Sequence, residues 1–112
     1  MTQHITEREF QNTVIEAAQA CGWRVAHFRP GMTSRVDRQG KPIWVTAVQA
    51  DGRGFPDLVL VRGNRLLFAE IKSQKGKVTV EQQAWLDALG VGLVEVYVWR
   101  PGDWPTIEAA LT

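Results

Sequence analysis

The sequence contains very little cysteine, with Cys21 alone among 112 residues. No disulfide can form within the chain, and a cysteine-rich zinc site is excluded. Long apolar runs are also absent, because no stretch approaches the ~20 apolar residues that a membrane-spanning helix requires. We therefore expect a reduced, cytoplasmic protein that does not enter a membrane.

The composition that remains is that of an ordinary folded domain. Hydrophobic residues make up 45% of the chain and charged residues 22%, a balance that is typical of globular proteins and not of disordered ones. The length corresponds to one domain and leaves no room for a second, so residues 1–112 are expected to fold as a single unit.

The net charge of +1 conceals three blocks of different sign. Residues 1–23 carry −2, residues 24–77 carry eleven Lys and Arg against four acids, a net +7, and residues 78–112 carry −4. A basic centre favours binding of a polyanion, most often nucleic acid. The alternative is a basic segment that is only solvated, since a block in sequence need not form a patch on the surface. The residues expected to contact DNA are Arg29, Arg35, Arg38, Lys41, Arg53, Lys75 and Lys77.

Apolar periodicity predicts the order α-β-β-ββ-α-β-α, an α/β sandwich around a central mixed β-sheet. The first helix is expected over 7–20, after a capping box formed by Thr6 and Glu9. Residues 30–55 contain four glycines, and mobile loops are expected there around one strand. The other predicted elements are helices over 80–89 and 106–111 and strands over 23–28, 43–48, 57–62, 65–72 and 94–99.

A two-residue turn signal, Gly63-Asn64, joins the two central apolar runs. With that turn the residue numbers of opposed pairs add up to 127, so Asp57 faces Glu70. Opposed side chains have Cβ atoms ~4.5–5.5 Å apart, and like charges there are destabilising. Lys72 shares this face because strand side chains alternate. Either the acids emerge into solvent beside Lys72, or they hold a hard divalent cation such as Mg²⁺ or Mn²⁺.

The pairing of Pro56-Asp57 with Glu70-Ile71-Lys72 across one hairpin resembles the signature of the PD-(D/E)xK nuclease superfamily. Further segments are similar to its virus-type replication-repair nuclease branch (VRR-NUC), in the small stand-alone form of phages and bacteria. The resemblance covers nearly the whole chain, aligns least over residues 31–53, and implies a restriction-endonuclease-like fold. The segments that carry it are Thr6 to Gln11, Gly22-Trp23, His27, Gly54 to Asp57, Ala69 to Lys72, Gln82 with Trp85, and Val98 to Pro101.

The resemblance implies a role for each residue of the motif. Asp57 and Glu70 would bind Mg²⁺ or Mn²⁺, and the carbonyl of Ile71 would be a further ligand. Lys72 would orient or activate the attacking water, or stabilise charge that develops at the phosphate. The alternative for Lys72 is a salt bridge to either acid.

Two helical residues complete the expected site. An acid on the first helix would join the cluster, and we favour Glu7 over Glu9, since Glu9 already serves the capping box. Gln82 is similar to the helix glutamine that supports the site in the superfamily, with Gln83 as the alternative. Thr79 and Gln82 also form a capping box by themselves.

Aromatic residues and a histidine provide further candidates for DNA contact. Trp44, in the basic region, is the tryptophan expected to stack on DNA, whereas Trp85 and Trp99 follow core-like patterns. His27 either contacts phosphate or is a hydrogen-bonded structural group near a strand end.

These expectations describe a metal-dependent endodeoxyribonuclease that leaves a 5′-phosphate and a 3′-hydroxyl, as the superfamily implies. A domain of this size has little surface for reading a long sequence, so we expect structure-selective cleavage of branched DNA, notably four-way (Holliday) junctions. The expected active form is a homodimer, because two cuts need two sites. The alternatives are a non-catalytic DNA-binding module and a protein-interaction domain on the same fold.

Overall fold

The computed structural model describes residues 5–28, 30–46 and 50–112, and for residues 30–35 and 43–46 it describes the backbone alone. Within these ranges the chain has the mixed α/β, restriction-endonuclease-like architecture that the sequence predicts. The helices are α1 (Glu7–Ala20), α2 (Val80–Leu89) and α3 (Trp104–Leu111), and a short 3-10 helix (Pro101–Asp103) precedes α3. The strands are β1 (Arg24–His27), β2 (Pro30–Val36), β3 (Pro42–Thr46), β4 (Leu58–Arg62), β5 (Arg65–Ile71) and β6 (Glu95–Trp99).

The main difference from prediction is β2, which lies where the sequence indicates a mobile loop. It pairs antiparallel with β3, with Gly31 opposite Val45, and the two form a separate two-stranded sheet. The turn between them is built by Asp37, whose Oδ1 accepts hydrogen bonds from the amides of Gln39 and Lys41, each 2.9 Å long. Backbone pairing and this turn form the hairpin β2–β3. Apolar periodicity does not predict the hairpin, because neither feature depends on the spacing of apolar residues.

The central sheet contains four of the described strands, in the order β1-β4-β5-β6. β4 and β5 are antiparallel, and their paired residue numbers add up to 127 as predicted, from Leu58 opposite Ala69 to Arg62 opposite Arg65. Gly63, in the turn, has a φ of +60°, a conformation that glycine adopts at no steric cost. β6 is parallel to β5, so the sheet is mixed and needs α2 as the crossover.

One face of this sheet is buried against α1 and α3. The core is formed by Phe10, Val14, Ala18, Trp23, Leu58, Leu60, Leu67, Ala69, Ile71, Trp99, Ile107 and Leu111.

The capping box of α1 is confirmed, because the amide of Glu9 donates to Thr6 Oγ1 and the amide of Thr6 donates to Glu9 Oε1. None of the helices in the described part of the chain combines the length and the apolar character that spanning a membrane requires.

Candidate functional site

The segment before β4 fixes the position of Asp57. Gly54 has a φ of +86°, and a Cβ atom there would lie 2.6 Å from the carbonyl carbon of Glu81 at the start of α2. Only glycine allows this close approach, which anchors the loop against the helix. Pro56 is buried, and the carbonyl of Asp57 accepts a hydrogen bond of 2.9 Å from the amide of Phe28, next to β1. The backbone of Asp57, directly before β4, is therefore held by the contact of the preceding loop with α2 and by the hydrogen bond from Phe28.

Asp57 and Glu70 face each other at the open end of the hairpin β4–β5. Asp57 Oδ2 accepts a hydrogen bond of 2.8 Å from the amide of Ile71. Glu70 is only 1% exposed, and its Oε1 has no hydrogen-bond partner among the described residues. Lys72 Nζ lies 3.8 Å from Glu70 Oε2, an ion-pair distance that is too long for a hydrogen bond. The buried carboxylate of Glu70 is therefore short of partners, which is costly in a folded protein.

The electrostatics of the pair reflect this shortage. Burial raises the pKa of Glu70 to about 8, and the negative charge of Asp57 adds to the rise. Burial also raises the pKa of Asp57, against the hydrogen bond from Ile71, which lowers it. Without a metal, the pair therefore favours binding a proton near neutral pH. Groups that burial and a like charge perturb in this way are typical of functional sites.

The donor set fits a hard divalent cation. Asp57 and Glu70 supply carboxylate oxygens, one of them unpartnered, and such oxygens are the ligands that Mg²⁺ and Mn²⁺ prefer. Within residues 5–28, 30–46 and 50–112, no group of three or more His, Cys, Asp and Glu could hold a metal. A site with two carboxylates still suits Mg²⁺, which keeps several waters and takes the remaining ligands from substrate phosphates. The part of the Ile71 carbonyl stays a prediction.

Glu7 lies in the exposed first turn of α1, near this pair but not joined to it. Its negative charge contributes to the raised pKa of Glu70, yet it does not complete a three-acid group in the described structure. Glu9 is engaged with Thr6, whose hydrogen bonds lower the pKa of Glu9. Of the two, Glu7 has the carboxylate that is not used in the cap, and its role as a ligand stays a prediction.

Lys72 is 8% exposed and is held by its backbone, whose amide donates to the carbonyl of Trp99 over 3.0 Å. The loop after it is tied to the end of β6 by two further hydrogen bonds. Arg100 Nη2 donates to the carbonyl of Gly76 over 2.7 Å, and the amide of Gly102 donates to Gln74 Oε1 over 2.7 Å. Sequence reasoning missed these ties, because they join segments more than twenty residues apart.

Gln82 forms the capping box of α2 that its spacing from Thr79 predicts. The amide of Thr79 donates to Gln82 Oε1 over 2.9 Å, and the amide of Gln82 donates to Thr79 Oγ1 over 3.1 Å. Gln83 is exposed, and its Nε2 donates to Asp87 Oδ1. The side-chain oxygen of Gln82 is therefore used locally, and a supporting role for either glutamine stays a prediction.

A second contact that sequence reasoning missed lies beside Asp57. Gln11 Nε2 on α1 and His27 Nε2 on β1 are 2.6 Å apart, and the charge of His27 lowers the pKa of Asp57. The sequence places Gln11 four residues after Glu7 on the first helix and His27 at the end of the first strand, but these positions do not indicate that the two side chains meet. Only the packing of α1 on the sheet brings them together.

The expected DNA-contacting residues lie mostly on the surface where they are described. Arg29 and the side chain of Arg35 lie outside the described residues, as does the side chain of Trp44. Trp99 is buried, as expected, but Trp85 is only half-buried, and its Nε1 donates to the carbonyl of Asp51 over 3.0 Å. The core assignment of Trp85 was wrong because α2 packs only its Leu86 face inward. Among the residues expected to contact DNA, the exposed ones are Arg38, Lys41, Arg53, Lys75 and Lys77.

Comparison with known proteins identifies the family. The family model of the VRR-NUC domain matches residues 36–100, more than half of the chain. The matched region contains Asp57, Glu70 and Lys72 and begins after α1, so Glu7 lies outside it. No curated protein and no solved structure matches the chain. The protein belongs to the VRR-NUC family, whose domains are generally nucleases.

Proposed function

We propose that this protein is a metal-dependent endodeoxyribonuclease that hydrolyses phosphodiester bonds in branched DNA, four-way junctions above all. The observation that carries the proposal is the buried Glu70 carboxylate, which faces Asp57 with one oxygen lacking a partner in the described structure. A cation between the two acids would remove their repulsion and supply the missing partner. Either Mg²⁺ or Mn²⁺ suits these ligands.

The residues around the pair support a hydrolytic role. The Ile71 amide holds the Asp57 carboxylate in place, so one ligand is preorganised without a contribution from substrate. When bound, the metal supplies an activated water and neutralises charge on the phosphate. We expect the ammonium of Lys72, 3.8 Å from Glu70, to orient that water or to stabilise the developing charge.

The exposed cations of the chain support selectivity for DNA structure over sequence. Five of the residues expected to contact DNA are exposed Lys and Arg side chains, two of which, Arg38 and Lys41, lie in the turn of the hairpin β2–β3. Cations of this kind contact phosphates, which position DNA without reading its bases. A small domain that grips the backbone distinguishes DNA mainly by where its strands run.

The test is cleavage of end-labelled linear, flap and four-way junction DNA by the purified protein with Mg²⁺, Mn²⁺ or EDTA. We expect the junction to be cut with either metal and not in EDTA. Asp57→Asn should abolish cleavage and leave DNA binding largely intact, whereas Asp87→Asn, which changes an exposed acid on α2, should cut like the wild type. Cleavage that persists in EDTA or in Asp57→Asn would contradict the proposal, as would binding without cleavage of any DNA.

We also propose that the active form is a homodimer that makes paired incisions. One chain carries one Asp57–Glu70–Lys72 cluster, and the exposed apolar side chains of Val91 and Leu93 precede the edge strand β6. Mixing active chains with excess Lys72→Ala chains should convert paired cuts into single nicks, because mixed dimers hold one working site. Light scattering that finds only monomer on DNA with full activity would rule the dimer out.

A further inference from the structure

A groove lies outside the acidic site, between α2 and the loop that leads to Gly54. Its volume is about 320 Å³, within the range of ~300–1,000 Å³ that is common for small-ligand sites. The half-buried ring of Trp85 forms one wall, and the small exposed residues Ala84 and Ala88 leave the groove open along α2. Its charged lining residues are Asp51, Glu81 and Arg53.

The groove shares a rigid wall with the acidic site. The ring of Phe55 packs edge to face on Trp85, with centroids 5.0 Å apart, and on Phe28, with centroids 5.6 Å apart. Phe55 lies two residues before Asp57, and the amide of Phe28 donates to the Asp57 carbonyl. Trp85 is fixed from the other side by its hydrogen bond to the carbonyl of Asp51. A group held in the groove would therefore have a defined position relative to the acids.

The chemistry of the lining selects among the parts of a DNA strand. The surface of the groove is mostly apolar, and the acidic residues Asp51 and Glu81 border it, so the groove is a poor site for a phosphate. A nucleobase suits this lining, because its flat face stacks on an aromatic ring and its amino and ring N–H groups donate to carboxylates at the border. Arg53 would donate to a base carbonyl or to the adjoining phosphate.

We propose that this groove binds one unpaired nucleobase of the DNA that the enzyme cuts. A base inside a duplex has its faces covered and its edge paired, so only an unpaired base can enter. The inference rests on the proposed function and deepens it: the enzyme recognises branched or distorted DNA through a base that such DNA leaves free.

The experiment measures binding in EDTA, where no cleavage occurs, to three duplexes. One is fully paired, one carries a single unpaired base, and one carries an abasic residue in place of that base. The wild type should bind the unpaired base more tightly than the abasic residue by roughly 5- to 150-fold, since stacking on an aromatic ring contributes ~1–3 kcal/mol per base. Ala88→Leu should remove this preference, because leucine at an exposed helical position fills the groove without weakening α2.

The matched control is Ala109→Leu, the same change at an exposed position of α3 outside the groove. It should keep the wild-type preference, and all three proteins should bind the fully paired duplex alike. A wild type with no preference for the base over the abasic residue overturns the inference, as does an Ala88→Leu protein that retains it. Cleavage with Mg²⁺, measured in parallel, separates the two proposals. Cleavage without base preference refutes the groove alone, and base preference without cleavage refutes the nuclease alone.

Discussion

Like charges are opposed at both ends of the hairpin β4–β5, but only at the turn end do an ion pair and hydrogen bonds compensate them. Beside the turn, Arg62 is paired with Arg65, and both guanidinium groups lie over the ring of Trp23, 4.7 and 4.9 Å from its centroid. Arg65 makes a bidentate salt bridge to Glu95, with contacts of 2.7 and 2.8 Å. Arg62 donates to backbone carbonyls, including that of Leu111 at 2.8 Å. Two like charges are thus fully compensated.

At the open end the opposed groups are carboxyls, and no cation within hydrogen-bond distance compensates them in the described structure. Glu70 Oε1 has no hydrogen-bond partner within the described ranges, and the nearby ammonium of Lys72 is 3.8 Å from Oε2. The pKa values report the contrast, because hydrogen bonds from Arg65 lower the pKa of Glu95 whereas burial raises that of Glu70 to about 8. Folded proteins leave such deficits mainly where function requires them. The arginine end therefore stabilises the fold, and the acid end is available for a cation.

The largest expected effect separates the two ends by chemistry. Glu70→Gln should reduce the single-turnover rate of junction cleavage by roughly 10³-fold, because metal catalysis contributes several kcal/mol and each 1.36 kcal/mol is a tenfold change in rate. Glu95→Gln, the matched change at the arginine end, should cut within a few-fold of the wild type. Equal losses of cleavage rate in the two variants would mean that Glu70 contributes no more to catalysis than Glu95 does.

The next effect compares exposed cations with compensated ones. Replacing Arg38, Lys41 and Arg53 with alanine should weaken binding to every DNA structure and flatten the salt dependence, by up to ~0.9 in the log–log slope for each lost phosphate contact. Arg65→Ala removes one cation whose charge Glu95 already satisfies, so its slope should match that of the wild type. Titrations by fluorescence anisotropy at several salt concentrations measure both. An unchanged slope in the triple variant would show that those cations are only solvated.

Stability should change in opposite directions at the two ends. Glu95→Gln should lower the free energy of unfolding by about 1 kcal/mol, a value suited to an ion pair whose side chains are 34% and 30% exposed. Glu70→Gln should raise it in EDTA above about pH 8, where Glu70 is ionised, by at least a few tenths of a kcal/mol, because cross-strand repulsion disappears. Urea denaturation gives both values. A destabilised Glu70→Gln protein would indicate that Glu70 serves the fold.

The last effect is a pH dependence of Tm that belongs to the acid end alone. The pKa of Glu70 is higher in the folded protein, about 8, than its ordinary value of 4.5. The folded state therefore binds more protons between these values, and its stability falls as pH rises through this window. Thermal melts in EDTA should show the wild type losing stability relative to Glu70→Gln from about pH 4.5 to pH 8. A Tm difference between the two proteins that does not change with pH would mean that Glu70 does not bind a proton in this range.

Several features could be predicted because they depend on residues close together in the chain. The capping boxes of Thr6 with Glu9 and Thr79 with Gln82 span three residues, and the structure confirms both. The Gly63-Asn64 turn set the register of β4 and β5, because a two-residue turn leaves one alignment of the strands. That register alone placed Asp57 against Glu70.

The features that could not be predicted join distant parts of the chain. β2 exists because β3 pairs with it, and Gln11 meets His27 because α1 packs on the sheet. Trp85 faces a groove instead of the core because of how α2 lies against the loop before Gly54.

By itself, therefore, the sequence determined the helices, their caps, the central hairpin and the two acids that face each other across it. Only the tertiary structure decided which charges are compensated. Arg65 pairs with Glu95, thirty residues away in the chain, and Arg62 donates a hydrogen bond to the carbonyl of Leu111, forty-nine residues away. Glu70 is buried without an equivalent partner in the described structure. Compensation requires groups to meet in space, and chain folding, which local propensity does not specify, decides which groups meet.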